Sequence, residues 1–258
     1  MFTGIVQAVA NIVAVSDDDG IRTFVIDFPD GFCTDLSVGG SVSIDGVCLT
    51  ATEMPRVNRV SFDVVLQSLS VTALGTYGDG YHVNAERASK AGAEIGGHPL
   101  SGHVDFVSEI KGVATQGRNK VLRIDLPPQF GQYVFSKGYI AVNGTSLTVA
   151  EIDKSNEWFE VWLIPETRRS TVLDGKRAGD LLNIEIERGT QVVVDTIRDA
   201  ASKSLGQLQP VLENLLREKG LSLESLVDAC RLVELPSNIG AEDATSDVLR
   251  SLPRRRPE

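Results

Sequence analysis

The chain has 258 residues, of which 42% are hydrophobic and 23% are charged. This composition is typical of an ordinary globular protein and excludes a disordered or fibrous chain. The length favours two domains of about 100–150 residues each. The formal net charge of −10 argues against a nucleic-acid or anionic-membrane partner, because phosphate binding requires a clustered basic surface.

Cysteine usage and the N-terminal segment indicate the compartment. Cys33, Cys48 and Cys230 are too few and too scattered for a disulfide framework, and they contain no Cys-x-x-Cys pair for zinc. The apolar N-terminus has no basic region before it and is interrupted by Gln7 and Asn11. It therefore predicts neither a signal peptide nor a membrane span. We expect a cytoplasmic protein.

An internal repeat organises residues 1 to about 187. Residues 40–50, GSVSIDGVCLT, match residues 138–148, GYIAVNGTSLT, without gaps and at a spacing of 98 residues. At the same spacing, residues 2–6 match residues 100–104. After one inserted residue, three further positions match: Gly80, Asn84 and Glu86 with Gly179, Asn183 and Glu185. A repeat of this kind predicts two copies of one fold, which we assign to residues 1–97 and 98–188.

Short alternating segments within each copy predict β-strands, for example residues 23–28, 42–45 and 158–164. Gly, Asp, Asn and Pro separate these segments at the spacing of turns. Many short strands predict a closed all-β barrel or a sandwich for each half, and closure would also remove exposed sheet edges.

The sequence changes character after Gly189. Six residues recur at helical spacing and predict one amphipathic helix over residues 189–206: Val192, Val193, Thr196, Ile197, Ala200 and Ala201. Residues 207–258 are predicted to be a helical and disordered extension. A second apolar stripe runs from Leu223 to Val233 after a candidate cap at Ser222, and the end is rich in Ser, Asp, Pro and Arg.

Two asymmetries between the copies mark candidate reactive residues. The matched loops carry Cys48 in the first copy and Ser146 in the second, while Thr50 and Thr148 agree. A lone cysteine is usually an inert core residue, but a hydroxyl at the matched position favours a site. The second asymmetry is the turn at residues 96–103, GGHPLSGH, which carries two histidines.

His98 and His103 are either structural residues or general bases, since imidazole titrates near neutral pH. A zinc site is not expected, because His82 is the only further histidine and the turn has no cysteine ligands. The sequence also lacks a dinucleotide fingerprint, a Walker loop and a nucleophile elbow, so classical nucleotide and hydrolase chemistry is excluded.

Six segments in this order together resemble the riboflavin synthase family: residues 1–6, 46–50, 96–103, 144–148, 164–167 and 183–185. The resemblance covers residues 1 to about 205. It implies two tandem six-stranded Greek-key barrels, each holding one lumazine, followed by a C-terminal helix that builds a homotrimer. It also implies a site shared between the first barrel of one subunit and the second barrel of a neighbour.

The implied reaction passes a four-carbon unit between two molecules of 6,7-dimethyl-8-ribityllumazine, without a metal or organic cofactor. Its products are riboflavin and 5-amino-6-ribitylaminouracil. The implied catalytic residues are Phe2, Cys48, His98, His103 and Ser146. The implied substrate-binding residues are Thr3, Gly4, Ser41, Gly46, Thr50, Ser68, Lys137, Gly144, Thr148, Thr167 and Glu187. The backbone around Gly46 and Gly144 is expected at the pyrimidine edge, because glycine lets a ligand approach closely.

The chain departs from the family pattern at two of these positions. Gln67-Ser68 stands where a Glu-Thr pair is expected, and Glu187 stands where an aspartate is expected. The candidate site residues disfavour two other functions. A non-catalytic carrier resembling the lumazine protein of luminous bacteria is disfavoured by the retained Cys48, His98 and His103. A tandem-barrel interaction protein would not need polar site residues in both copies.

Overall fold

In the computed structural model, which describes residues 1–218, each copy of the repeat folds into six β-strands. The first copy contains β1 (Ala8–Asp18), β2 (Ile21–Asp27), β3 (Ser41–Ile44), β4 (Val47–Arg56), β5 (Arg59–Val65) and β6 (His82–Arg87). The second contains β7 (Phe106–Gln116), β8 (Asn119–Asp125), β9 (Tyr139–Val142), β10 (Thr145–Asp153), β11 (Trp158–Leu163) and β12 (Leu181–Ile186). The helices are α1 (Leu66–Val71), α2 (Pro165–Ser170) and α3 (Arg188–Glu218).

Each copy closes into an antiparallel barrel with the same strand order. The first barrel runs β1-β2-β5-β4-β3-β6, and the second repeats this order with β7 to β12. Strands β3, β4 and β5 pair in succession and β6 returns by a longer connection to lie beside β3, which is a Greek key. Both barrels lie in one compact unit, residues 1–196. The predicted fold class is therefore confirmed.

Alternation along the strands fills each barrel with its own core. Phe24 and Phe62 are fully buried in the first barrel, and Leu122 and Phe159 in the second. Successive residues of a strand point to opposite faces, so alternate apolar positions reach the interior. Burying each of these large side chains stabilises the fold by about 2–3 kcal/mol.

The β3–β4 and β9–β10 hairpins meet between the barrels. Their turns are Asp45-Gly46 and Asn143-Gly144, with φ of 44° and 84° in the first and 45° and 73° in the second. Two positive φ angles define the type I′ turn, which favours Asp-Gly and Asn-Gly. A Cβ atom added to Gly46 would lie 2.8 Å from the Gly144 nitrogen, and one added to Gly144 would lie 2.8 Å from the Gly46 nitrogen. The two glycines thus serve the turns and the contact between barrels.

The asparagines retained by the repeat join the barrels across a pseudo-two-fold axis. Asn84 Nδ2 donates to the Asn143 carbonyl at 2.9 Å, and Asn183 Nδ2 donates to the Asp45 carbonyl at 2.8 Å. Each asparagine's side-chain oxygen accepts from a backbone N–H of the opposite barrel. All four residues are buried. Paired polar groups of this kind fix one relative placement of the barrels, because an unpaired buried amide is costly.

Asp45 breaks this symmetry, since Asn143 stands at the matched position. Its carboxylate accepts from the Asn84 N–H at 2.7 Å and from the Tyr77 hydroxyl at 2.8 Å. Complete burial raises the pKa of Asp45 from its ordinary value of 3.8 to about 6, although the hydrogen bonds and the charge of Lys176 oppose this rise. The folded chain therefore holds the Asp45 proton more tightly than the unfolded chain does.

This proton makes stability depend on pH, and Asp45→Asn tests the effect. The stabilisation is complete below the ordinary pKa of 3.8 and is lost as the pH rises through the folded-state pKa of about 6. Relative to Asp45→Asn, the wild-type free energy of unfolding should fall by up to about 3 kcal/mol between about pH 3 and about pH 8. Urea unfolding at fixed protein concentration measures this difference, and parallel pH curves would contradict the prediction.

Helix α3 begins directly after the second barrel. The Glu187 carboxylate accepts from the N–H groups of Gly189 at 2.9 Å and Thr190 at 2.6 Å, so it satisfies donors of the first helical turn. The helix continues past residue 206, the predicted end, to Glu218. The predicted second stripe from Leu223 lies outside the described residues. Within residues 1–218, no helix has the length and hydropathy needed to cross a membrane.

Candidate active site

Each barrel carries a cavity beside its matched polar loop. The first has a volume of about 450 Å³ and is lined by Val47, Cys48, Gln67, Ser68, Val71, Thr72, Gly102, His103 and Val104. The second has a volume of about 610 Å³ and is lined by Lys137, Ser146, Leu147, Thr148, Ala150, Glu151, Trp162, Ile164 and Thr167. Cys48 thus lines the first cavity, and Ser146, at the matched position of the repeat, lines the second. Ser68 and Thr167 are a second matched pair, with one residue in each cavity.

The first cavity collects three of the predicted residues, Cys48, Ser68 and His103. Ser41 and Thr50 face each other across β3 and β4 and do not line it. Thr50 nevertheless shares a strand face with Cys48, because side chains two residues apart on a strand point the same way. His103 is exposed, so its imidazole is accessible to a ligand.

The second cavity collects all four of the residues expected there: Lys137, Ser146, Thr148 and Thr167. It also contains Trp162, which our sequence reasoning missed. In the repeat, with its one-residue insertion, Trp162 aligns with Asp63 of the first copy. This difference between the copies was the signal that could have marked Trp162 as a site residue. An indole at this wall offers a flat apolar surface for a ring ligand.

His98 lies behind Ser146. Its Nδ1 is 2.6 Å from the Ser146 Oγ, and its ring stacks on Tyr139 with 5.1 Å between centroids. Burial lowers the pKa of His98, and the nearby Glu187 carboxylate partly offsets this. The imidazole is therefore neutral at physiological pH, and it can orient the Ser146 hydroxyl. Only 3% of His98 is exposed and it lines neither cavity, so its expected catalytic role stays a prediction.

Three other residues expected at the substrate are buried supports in this chain. Phe2 is 1% exposed and packs with Leu100 and Ala141, with Cys48 against this cluster. The Thr3 hydroxyl donates to Glu86, and the Gly4 carbonyl accepts from the Ser146 N–H. These contacts hold the N-terminal segment against both barrels, and the substrate roles expected of the three residues stay predictions.

Gly46 and Gly144, which are expected at the pyrimidine edge of the ligand, lie where the two barrels meet. The space above each glycine is occupied by the other barrel's turn, so the close approach that requires glycine is between barrels. Glu187 lines neither cavity and uses its carboxylate on the first turn of α3. Among residues 1–218, no three His, Cys, Asp or Glu side chains come together as a metal site.

A third and larger cavity, of about 760 Å³, contains only one of the predicted residues, Thr3. It lies beside the β6 end and the linker between barrels, and its charged lining residues are Asp30, Glu86, Arg87, Lys90 and Glu94. Neither Cys48 nor Ser146 reaches it. The two smaller cavities are the better candidates, because the reactive residue types converge there.

Lys137 adopts a backbone conformation that L-residues disfavour. Its φ is 69°, and the matched first-copy residue, Gly39, has a φ of 87°. A left-handed conformation costs a residue with a Cβ about 1–2 kcal/mol. Strain of this kind persists where function requires the side chain. Lys137 lines the second cavity, so its side chain is a candidate for such a requirement.

We expect Lys137→Gly and Lys137→Ala to weaken lumazine binding in the second cavity equally, because both remove the ammonium group. The two variants should differ in stability. Only glycine adopts a positive φ without strain. The free energy of unfolding, measured by urea unfolding, should therefore be about 1 kcal/mol higher for Lys137→Gly than for Lys137→Ala. Equal stability of the two variants would show that this backbone conformation is not strained.

The sequence matches the lumazine binding domain family twice, over residues 3–88 and 101–187. The chain is 41% identical over 215 residues to riboflavin synthase of Escherichia coli K12. This alignment covers 83% of this chain and 100% of that protein. The chain belongs to the riboflavin synthase family. It is also 37% identical to the riboflavin synthase of Chlamydia pneumoniae over 79% of this chain and 98% of that protein. Membership confirms the predicted family and enzyme class, and the non-catalytic alternative is not favoured.

Solved structures support the same fold. A crystal structure of LumP complexed with 6,7-dimethyl-8-(1'-D-ribityl) lumazine aligns with a TM-score of 0.64 and 24% identity, covering 72% of this chain and 99% of that chain. A structure of LumP complexed with riboflavin aligns with a TM-score of 0.67 at the same identity and coverage. At this identity the likeness concerns the fold of the tandem barrels.

Proposed function

We propose that this chain is a riboflavin synthase that converts two molecules of 6,7-dimethyl-8-ribityllumazine into riboflavin and 5-amino-6-ribitylaminouracil. The observation that carries the proposal is the pair of cavities at matched positions, with Cys48 in one and Ser146 in the other. Two similar but unequal sites suit a reaction in which identical substrates take different roles. One lumazine donates four carbons and the other accepts them.

The chemistry needs a carbanion and an activated ring. The C7 methyl of a lumazine is acidic because the ring delocalises the anion, so no metal or organic cofactor is required. The partner lumazine is activated when a nucleophile adds at C7. The cavities offer the Cys48 thiol and the Ser146 hydroxyl for this step, and His103 is an accessible proton acceptor beside Cys48.

Binding of the two substrates also lowers the activation barrier. Holding two rings face to face turns a bimolecular step into an effectively unimolecular one. This positioning lowers the activation free energy of the reaction by several kcal/mol, on the order of 7–11. The Trp162 ring and the Lys137 ammonium group in the second cavity provide a flat surface and a positive charge for one lumazine. Thr148 and Thr167 provide hydroxyl groups for its polar edge.

The working enzyme is a homotrimer in this proposal, located in the cytoplasm, with each site built from two subunits. Helix α3 supports the assembly, because Val192, Val193 and Ile197 are all exposed on it. Exposed apolar residues on one helix are typical of a face that packs against other copies. A first cavity would then meet the second cavity of a neighbour, which brings two lumazines together.

The proposed activity has a direct test. Purified protein incubated with the lumazine alone should form riboflavin and 5-amino-6-ribitylaminouracil in equal amounts, and EDTA should leave the rate unchanged. Chromatography with absorbance detection measures both products. Tight lumazine binding without conversion would instead identify a carrier, and loss of activity in EDTA with recovery on adding zinc would overturn the cofactor-free chemistry.

A further inference from the structure

Two buried glutamates retained by the repeat have no part in the chemistry described so far. Glu86 lies on β6 and Glu185 on β12, each 3% exposed. Neither lines the first or the second cavity. Each instead binds a short chain segment, which we call the N-terminal strap (residues 2–5) and the linker strap (residues 100–103).

The two carboxylates hold their straps with the same three hydrogen bonds. Glu86 accepts from the Thr3 N–H at 2.6 Å, the Thr3 hydroxyl at 2.8 Å and the Gly4 N–H at 3.0 Å. Glu185 accepts from the Ser101 N–H and hydroxyl, both at 2.7 Å, and from the Gly102 N–H at 3.0 Å. An ionised carboxylate suits three donors because both of its oxygens only accept.

The straps cross from one barrel to the other. Glu86 of the first barrel holds the N-terminal strap. In this strap the Gly4 carbonyl accepts a hydrogen bond from the Ser146 N–H of the second barrel at 2.8 Å. The linker strap, held by the second barrel's Glu185, accepts the Cys48 N–H of the first barrel on the Gly102 carbonyl, also at 2.8 Å. Each reactive residue is therefore tied to the glutamate of the opposite barrel.

We propose that Glu86 and Glu185 are positioning residues that act crosswise, Glu86 on the Ser146 cavity and Glu185 on the Cys48 cavity. Charge-assisted hydrogen bonds to a buried carboxylate are stronger and shorter than neutral ones, so they fix the strap and the residue bound to it. Replacing either glutamate by glutamine places an amide donor against strap N–H groups. The amide oxygen still accepts the Thr3 or Ser101 bonds, but the amide nitrogen faces the Gly4 or Gly102 N–H and that bond is lost. One strap is then loosened at the glycine that holds the reactive residue, while the Phe2–Leu100 backbone pair still joins the two straps.

The matched variants Glu86→Gln and Glu185→Gln test this inference with one readout for each cavity. Iodoacetamide labelling, followed at the Cys48 peptide by mass spectrometry, reports the first cavity without any substrate. We expect Glu185→Gln to speed labelling at least about threefold, because the loosened linker strap holds the Cys48 N–H less firmly. Glu86→Gln should raise the labelling rate by no more than about 1.5-fold, because it reaches Cys48 only through the Phe2–Leu100 backbone pair that joins the straps.

Tryptophan fluorescence reports the second cavity, since both tryptophans belong to the second barrel and Trp162 lines that cavity. Titration with the lumazine should quench this fluorescence, with an apparent Kd raised about tenfold in Glu86→Gln. Glu185→Gln should raise it no more than about twofold, because it reaches Ser146 only through the Phe2–Leu100 backbone pair. If glutamine prevents folding, shown by circular dichroism, the milder pair Thr3→Val and Ser101→Ala should give the same crossed pattern. Each substitution removes the hydroxyl's bond to the glutamate and its bond to a backbone N–H of the same strap.

Equal effects of both variants on both readouts would overturn the inference, as would an uncrossed pattern in which each glutamate affects its own barrel's cavity. The inference rests on the proposed function only for the choice of lumazine as the probe. Failure of that function would appear as wild-type protein without turnover. Failure of the crossed positioning would appear in the Cys48 labelling rates, which require no turnover.

Discussion

His103→Ala should lower the turnover number at least about a hundredfold, because a positioned general base contributes about 10²–10⁴ to rate. Cys48→Ser should retain measurable activity. The repeat already places a hydroxyl at the matched position, Ser146, so this environment accommodates one. The contrast follows from the first cavity, where the exposed His103 imidazole and the Cys48 side chain lie together.

The chain offers a matched control for the histidine variant. His82 is exposed at the start of β6 and lines neither cavity, so His82→Ala should keep native rates. Steady-state kinetics with the lumazine as sole substrate measure turnover number and KM for all three variants. Near-native turnover in both His103→Ala and Cys48→Ser would mean that these residues are structural.

Mixing two inactive variants should restore activity. Ser68→Arg blocks the first cavity and Thr167→Arg blocks the second, and the repeat makes these substitutions equivalent. In the proposed homotrimer, with each site shared between two subunits, either variant alone then contains only defective sites. In a mixed trimer, the intact first barrel of one variant meets the intact second barrel of the other. Random mixing in equal amounts gives about a quarter of wild-type activity, since three in four trimers are mixed and each has one intact site in three.

The control for this experiment is the separate measurement of assembly. Co-refolding the variants with two different affinity tags, followed by tandem purification, isolates the mixed oligomers. Each variant alone should still bind one lumazine per chain. Mixed oligomers that bind lumazine but form no riboflavin would contradict a site shared between subunits, because a site within one chain stays defective whatever the partner.

Much of the fold could be predicted from the sequence because its signals are local. The matched segments at residues 40–50 and 138–148 established two copies, and alternation within them indicated strands. The end of α3 could not be predicted in this way. Gly206 coincided with the expected end, yet the helix passes through it to Glu218. A glycine inside a helix costs about 1 kcal/mol, which a long helix tolerates.

The candidate site was predicted best where a side chain lies on a matched loop, as Ser146 and Lys137 do. It was predicted less well in the N-terminal strap. Phe2, Thr3 and Gly4 stand in a single segment that resembles the family, but the sequence cannot show which protein groups each of them contacts. The same limit applies to Glu86, whose strap partner Thr3 is 83 residues away. Contacts at such separations depend on how the barrels pack.

The pairing of Asn84 with Asn143 and of Asn183 with Asp45 has a consequence for the origin of the chain. Asn84 and Asn183 are matched positions of the two halves, and so are Asp45 and Asn143. Each contact from the first half to the second is therefore repeated by the matched residues from the second half to the first. Such reciprocity is the defining property of an isologous dimer interface. The tandem barrels preserve it within one polypeptide, which is the arrangement expected when a gene for a self-associating single barrel is duplicated and fused. Fusion then freed the halves to diverge, and the exchange of cysteine for serine between matched loops is such a divergence.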